Sequence, residues 1–135
     1  MGRSLRVIVP AFAFACVTVI AAQEIGGSEA KKMKNPRPAN AASVDAGKAA
    51  YLKTCRFCHG DDAKGAAKTA PKNIAPPPDL TDAKWDHGST DGEIFAVIKN
   101  GVGPKFEMKP MKTLADDQIW DIVNYLHSVG PTSKK

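Results

Sequence analysis

The chain has 135 residues, with 19 basic and 14 acidic side chains and a formal net charge of +5. That length predicts one domain, and its charge is uneven: residues 43–130 carry 11 basic and 12 acidic side chains, so the excess positive charge belongs to the ends. No compact basic stripe with interleaved aromatics lies inside the near-neutral part, which excludes a nucleic-acid partner as the reason for the high pI.

Residues 1–22 read as an export signal. Arg3 and Arg6 precede a run from Val7 to Ala22 without a charge, and Ala21 and Ala22 offer small residues before Gln23. The run has 16 residues, short of the roughly 20 that a spanning helix needs. A cleaved signal is the first expectation, an uncleaved membrane anchor the second and a buried helix the third. Cys16 follows Ala13-Phe14-Ala15, a poor match to a lipid-attachment box, and reads as a small apolar residue of the signal. Residues 23–42 contain Gly26, Gly27, Pro36, Pro38 and several lysines without an apolar period, and are expected to form a flexible linker. The folded domain is expected over 43–130, with a polar tail at 131–135.

Three helices are predicted. The first runs from Val44 to about Lys53 with Ser43 as N-cap. The second follows Thr90, which has capping-box spacing to Glu93, and offers Ile94, Phe95, Val97 and Ile98 as an apolar face ending at Gly101 and Gly103. The third runs from about Ala115 to Ser128. Its Ile119, Ile122, Val123 and Leu126 share one side, Asp116 and Asp117 suit its N-terminal end, and Gly130-Pro131 stops it. No stretch alternates well enough for a strand. Between His59 and Thr90 lies a long irregular segment with Pro71, Pro76, Pro77 and Pro78. Such a loop needs something large to wrap.

Cys55-Arg56-Phe57-Cys58-His59 supplies it: this is the Cys-X-X-Cys-His pattern of c-type haem attachment. Two sulfurs about one turn apart can reach the two vinyl-derived carbons of one porphyrin, and the following His is then placed over the iron. The competing readings are weak. A zinc site needs two further ligands, and His87 and His127 lack paired zinc-finger spacing. A redox dithiol lacks its strand–helix context. A disulfide between Cys55 and Cys58 would close a tight loop.

On these residues the chain resembles class I cytochromes c of the bacterial mono-haem kind, over Ser43 to Val129. Gly47, Tyr51 and Cys55 stand four apart, as in the first helix of that family, and Cys58-His59-Gly60 continues its motif. The resemblance implies an all-α fold: three to four helices and long loops wrapped around one covalent haem c. It implies thioether bonds at Cys55 and Cys58, iron held by His59, and a close crossing of the first and last helices at Gly47. Pro78-Asp79-Leu80 looks like the family's Pro-X-Leu, whose Pro carbonyl accepts a hydrogen bond from the ligand His; the plain alternative is the end of a rigid Pro-rich loop. Trp120 and Tyr125 stand where the last helix of the family is aromatic.

The family usually supplies the sixth ligand from a Met in the loop before the last helix. Glu107-Met108-Lys109-Pro110-Met111 offers two candidates. Met108 fits the ligand slot, Met111 the packing slot and Leu114 the Leu that follows; Met111 is the alternative ligand. Lys109 interrupts the commoner Met-Pro order. His87 and His127 are expected in surface or capping roles.

The function expected is single-electron transfer between redox proteins in the periplasm or at the outer membrane face. The alternative is a tethered haem subunit of a respiratory or photosynthetic complex, and a less favoured one a peroxidase-like haem enzyme, for which no distal acid or base is marked. The protein is expected to be a monomer or a subunit of a larger complex, meeting a membrane only if its N-terminus stays uncleaved. Arg56, Lys64, Lys68, Lys72, Lys105, Lys109 and Lys112 fall in the haem motif and its flanking loops, and are the docking cations expected at the haem edge. Ordinary solvated loop lysines are the alternative.

Overall fold

The computed structural model describes residues 27–65, 67–73, 75–104 and 107–131. The apolar run and the polar tail at 132–135 lie outside them. Among the described residues there are five helices: α1 (Ser28–Lys32), α2 (Ala41–Thr54), α3 (Arg56–His59), α4 (Asp91–Asn100) and α5 (Asp116–Val129). None of them is long and apolar enough to cross a membrane. The only pairing of β type among the described residues is an isolated bridge between Val102 and Met108.

Helices α4 and α5 form where local chemistry predicts. Thr90 accepts from the Glu93 N–H while Glu93 accepts from the Thr90 N–H, closing the capping box of α4. Helix α5 opens with Asp116 and Asp117 in its first turn and ends at Gly130. At its start, the Gln118 side chain accepts from the Ala115 N–H at 3.1 Å.

Helix α2 begins three residues earlier than expected, at Ala41. Its N-cap is Asn40, whose side chain accepts from the Ser43 N–H at 3.0 Å. Ser43, expected as the cap, lies inside the first turn and is buried. Its hydroxyl donates to Asp121 and accepts from the Asn124 amide at 2.7 Å. A better partner across the helix interface thus takes the side chain that could have capped the helix.

Helices α2 and α5 form the main packed pair, with α4 against α5. They cross at Gly47, where a Cβ would run into the Asp121 carbonyl. The close crossing implied by Gly47 is therefore present, and only hydrogen fits there. Around it lie Tyr51, Ile119, Ile122 and Val123, all fully buried. Phe95 of α4 stacks on Trp120 of α5 at 4.0 Å between ring centres, tying the third helix to the pair.

The described part of the expected linker is folded. Ala30 is fully buried, and α1 packs on α4. Beyond it the chain is held by polar contacts to α5. The Asn35 amide donates to the Trp120 carbonyl at 3.0 Å and to Asn124 Oδ1 at 2.9 Å. Arg37 makes a two-nitrogen contact to the Asp121 carboxylate, at 2.9 and 3.0 Å, which holds the guanidinium pKa above its ordinary value. Beyond the short apolar contact made by Ala30 and Met33, the segment docks by hydrogen bonds, which leave no apolar period in the sequence.

Candidate haem site

One cavity, about 830 Å³ in volume, brings together the residues singled out in the sequence. Cys55, Cys58 and His59 line it from the α2–α3 junction, and Met108 and Met111 from the loop before α5. Pro71, Pro76, Pro77 and Pro78 of the irregular segment form another part of the wall. Leu80, Trp85, Ile98, Ile122 and Leu126 supply apolar surface, a lining suited to a large flat apolar group carrying a few fixed polar contacts. The long loop therefore has its large object to wrap.

Cys55 and Cys58 are unpaired thiols, half-buried. Burial pushes the Cys55 thiol up, partly offset by the Thr54 hydroxyl 3.3 Å from its sulfur. Helix α3 continues from α2 with a break at Cys55, whose N–H still donates to the Tyr51 carbonyl at 2.8 Å. The His59 N–H donates to the Cys55 carbonyl at 3.0 Å, so the motif is a single helical turn. Burial pulls the His59 imidazole below its ordinary pKa, and a backbone contact with Pro78 opposes that. A neutral imidazole is the form that binds a metal. Its Nδ1 is buried and has no hydrogen bond of ordinary geometry. The Pro78 carbonyl thus lies near enough to favour the protonated ring without making the full bond that the Pro-X-Leu resemblance implies. The residues fit a haem: two thiols, a neutral imidazole and a mainly apolar cavity meet at one place.

The methionine loop owes its path to Gly101, which has φ +75°. A Cβ there would meet the Met108 carbonyl and lie 2.8 Å from the Pro110 nitrogen, so the loop returns closely over the end of α4 only because that residue is glycine. The Val102 N–H donates to the Met108 carbonyl, and the Met111 N–H to the Ile98 carbonyl, both at 2.9 Å. Both methionines are partly buried against the core.

His87 also lines the cavity, from an exposed position. His127 does not; its Nε2 lies 2.9 Å from Asp91 Oδ1, linking α5 to α4. Among the expected docking cations, Arg56, Lys64, Lys68, Lys72, Lys109 and Lys112 are exposed, and Lys105 lies outside the described residues. Arg56 is 3.5 Å from Asp61 and its guanidinium sits over the exposed Phe57 ring. Sequence reasoning passed over Trp85, Leu80 and Ile122 as cavity walls. Tyr51 was marked only by its spacing from Gly47 and Cys55, yet it lines the cavity and donates its phenol to the Gly60 carbonyl at 2.7 Å.

Comparison with known proteins agrees with this geometry. The family described as cytochrome c oxidase, cbb3-type, subunit III matches residues 42–126. The cbb3-type cytochrome c oxidase subunit CcoP of Azospirillum sp. (strain B510) is 32% identical over 99 residues, covering 71% of this chain and 32% of the relative. The chain thus spans about a third of the length of such relatives. Among solved structures, cytochrome CL from Methylophaga aminisulfidivorans MPT superposes with a TM-score of 0.55 at 24% identity, covering 67% of this chain and 55% of that one. The reducing HAO-like protein complex of Kuenenia stuttgartiensis gives 0.62 at 24% identity, covering 70% of this chain and 47% of that one. The fold is the small all-α cytochrome c fold, and its cofactor is a covalently bound haem c with iron. With the motif, the cavity and the match over the whole helical core in agreement, the chain belongs to the family of cbb3-type cytochrome c oxidase subunit III.

Proposed function

We propose that the protein transfers single electrons as the haem-bearing subunit of a respiratory oxidase complex, rather than as a freely diffusing carrier. The observation that carries this is the family match over 42–126, which coincides with the elements enclosing the cavity. It favours the tethered alternative over the mobile carrier. The haem supplies a one-electron iron couple when bound. Cys55 and Cys58 would hold it through thioethers, and His59 and Met108 would ligate its iron. Met ligation and an apolar surrounding both favour the reduced iron and raise the potential. With His59 and Met108 both on the iron, no position would be left for a substrate, an arrangement suited to electron transfer rather than catalysis. The Pro78 carbonyl, close to the His59 ring, would add an orienting contact to the ligand with the haem bound. Exposed Arg56, Lys64, Lys68 and Lys72 near the motif suit an acidic redox partner, arriving faster at low salt. The periplasm is the compartment proposed, with residues 1–22 directing export and remaining as an anchor.

The test is fractionation of the full chain from its native membranes. Co-migration of the haem-stained chain with cytochrome oxidase activity through detergent solubilisation and native gels is expected. A haem protein recovered only from the soluble periplasmic fraction, beginning near Gln23, would return the free-carrier reading. A species binding carbon monoxide readily in the untreated protein would favour the enzyme instead.

A further inference from the structure

Tyr51 stands fully buried near the C-terminal end of α2, outside the Cys-X-X-Cys-His motif. It touches three things. Its ring lines the haem cavity, it packs on Tyr125 of α5 with ring centres 5.2 Å apart, and its hydroxyl donates to the Gly60 carbonyl at 2.7 Å. Gly60 is the residue directly after His59 and caps α3 with φ +80°. Among the described residues, the only main-chain group that reaches its carbonyl is the Ala63 N–H, at 3.4 Å, near the limit of a useful bond. The phenol is therefore its principal partner.

We infer that Tyr51 is a positioning residue for the iron ligand: its hydroxyl locks the peptide after His59 and so sets how the imidazole meets the iron. The main chain around His59 is held at several neighbouring groups. The His59 N–H donates to the Cys55 carbonyl at 3.0 Å, and the Gly65 N–H donates to the His59 carbonyl at 2.9 Å. The Gly60 N–H donates to the Arg56 carbonyl at 2.9 Å. The Gly60 carbonyl, directly after the ligand, is held by the Tyr51 side chain, and the Phe57 carbonyl on the other side of the motif accepts from the Thr69 hydroxyl. Among the described residues the ring makes no hydrogen bond of ordinary geometry at Nδ1, so in this structure the frame carries its orientation, with the Pro78 carbonyl as a weaker second contact. Groups that orient a metal-binding imidazole tune the metal it holds. Burial raises the Tyr51 hydroxyl pKa, so it remains protonated and a donor at physiological pH.

This rests on His59 as the iron ligand, and not on the protein's place in a complex. The test uses the haem-loaded full chain in its oxidised form. Tyr51→Phe keeps the ring and removes the donor. It is expected to move the hyperfine-shifted haem methyl resonances, which report the axial imidazole plane, and to shift the reduction potential. Tyr125→Phe is the control: the other ring of the pair loses a hydroxyl with no hydrogen bond among the described residues, and both readouts should stay at their wild-type values. Placing 4-aminophenylalanine at position 51 restores a donor and should return both readouts toward wild type, while 4-methylphenylalanine, of similar size without a donor, should not. This second pair decides the matter if Tyr51→Phe fails to retain haem. Unchanged resonances and potential in Tyr51→Phe would overturn the inference. So would equal shifts in Tyr125→Phe, or equal behaviour of the two unnatural residues. Wild-type protein without hyperfine-shifted axial histidine signals would instead remove His59 as ligand.

Discussion

Ser43 of α2 and Asp121 of α5 are 78 positions apart in the chain, yet the Ser43 hydroxyl donates directly to the Asp121 carboxylate at their buried interface. The same carboxylate receives Arg37 at 2.9 Å, and Asn124 donates to the Ser43 oxygen at 2.7 Å. A single carboxylate thus joins the N-terminal segment, α2 and α5.

Ser43→Ala should therefore destabilise the protein although the site is far from the iron. It leaves the Asn124 amide and the Asp121 carboxylate each short of one buried partner, at a cost of about 1–3 kcal/mol. A thermal melt of the haem-loaded protein should show a midpoint lower by several degrees with an unchanged visible spectrum. An unchanged melt would mean that water replaces the hydroxyl.

At Gly47 the two competing effects have opposite signs. Alanine is the better helix former by about 1 kcal/mol, but its methyl would collide with the Asp121 carbonyl. Overpacking costs about 1–3 kcal/mol, so Gly47→Ala should lower stability in denaturant titration. A rise in stability would show that α2 and α5 can part without loss.

Met108→Ala and Met111→Ala should separate ligand from packing. The first is expected to abolish the weak long-wavelength charge-transfer band of the Met–iron bond, lower the potential and admit cyanide or carbon monoxide. The second should keep the band and lose packing, up to about 2–5 kcal/mol for a fully buried Met and less for this half-buried one. The opposite pattern would make Met111 the ligand. Absence of the band in the native protein would leave His87, which lines the same cavity, to be tested by mutation.

Acidified organic solvent should leave the colour with the protein, because the thioethers at Cys55 and Cys58 hold the haem. The double variant Cys55→Ala, Cys58→Ala should release pigment to the solvent, or accumulate as largely unfolded chain because the cofactor fills much of a small core. A double variant that folds and keeps its haem through extraction would place the attachment elsewhere.

The capping box of α4 predicts an acid dependence. Bonds from the Thr90 hydroxyl and N–H hold Glu93 below the ordinary carboxylate pKa. A depressed folded-state pKa contributes stability that is present above the unfolded value, about 4.3, and lost as pH falls through the folded value. Glu93→Gln should thus be less stable than wild type at neutral pH, with the gap closing towards pH 3. Thr90→Ala should cost about 1 kcal/mol. A gap independent of pH would mean that Glu93 acts through its length and not its charge.

What the sequence determined on its own is what depends on near neighbours. The haem motif is a single helical turn, so Cys55, Cys58 and His59 fall together wherever that turn forms. Thr90 and Glu93 bond across three residues, and the apolar face of α5 repeats within one helix. The tertiary structure decided what rests on partners far along the chain. Asn35 finds Asn124, 89 positions away, which turned the described part of an apparent linker into a docked strap; side-chain hydrogen bonds have no period to read. Ser43 had two possible bonds, to its own helix end or to Asp121, and the buried carboxylate won because its partners are scarce and water's are not. Met108 and Met111 reach one cavity because Gly101 lets the loop turn back over α4. Tyr51 has its role because α3 brings the Gly60 carbonyl back beneath α2, within 2.7 Å of a hydroxyl that the Gly47-Tyr51-Cys55 spacing alone marks only as one side of a helix.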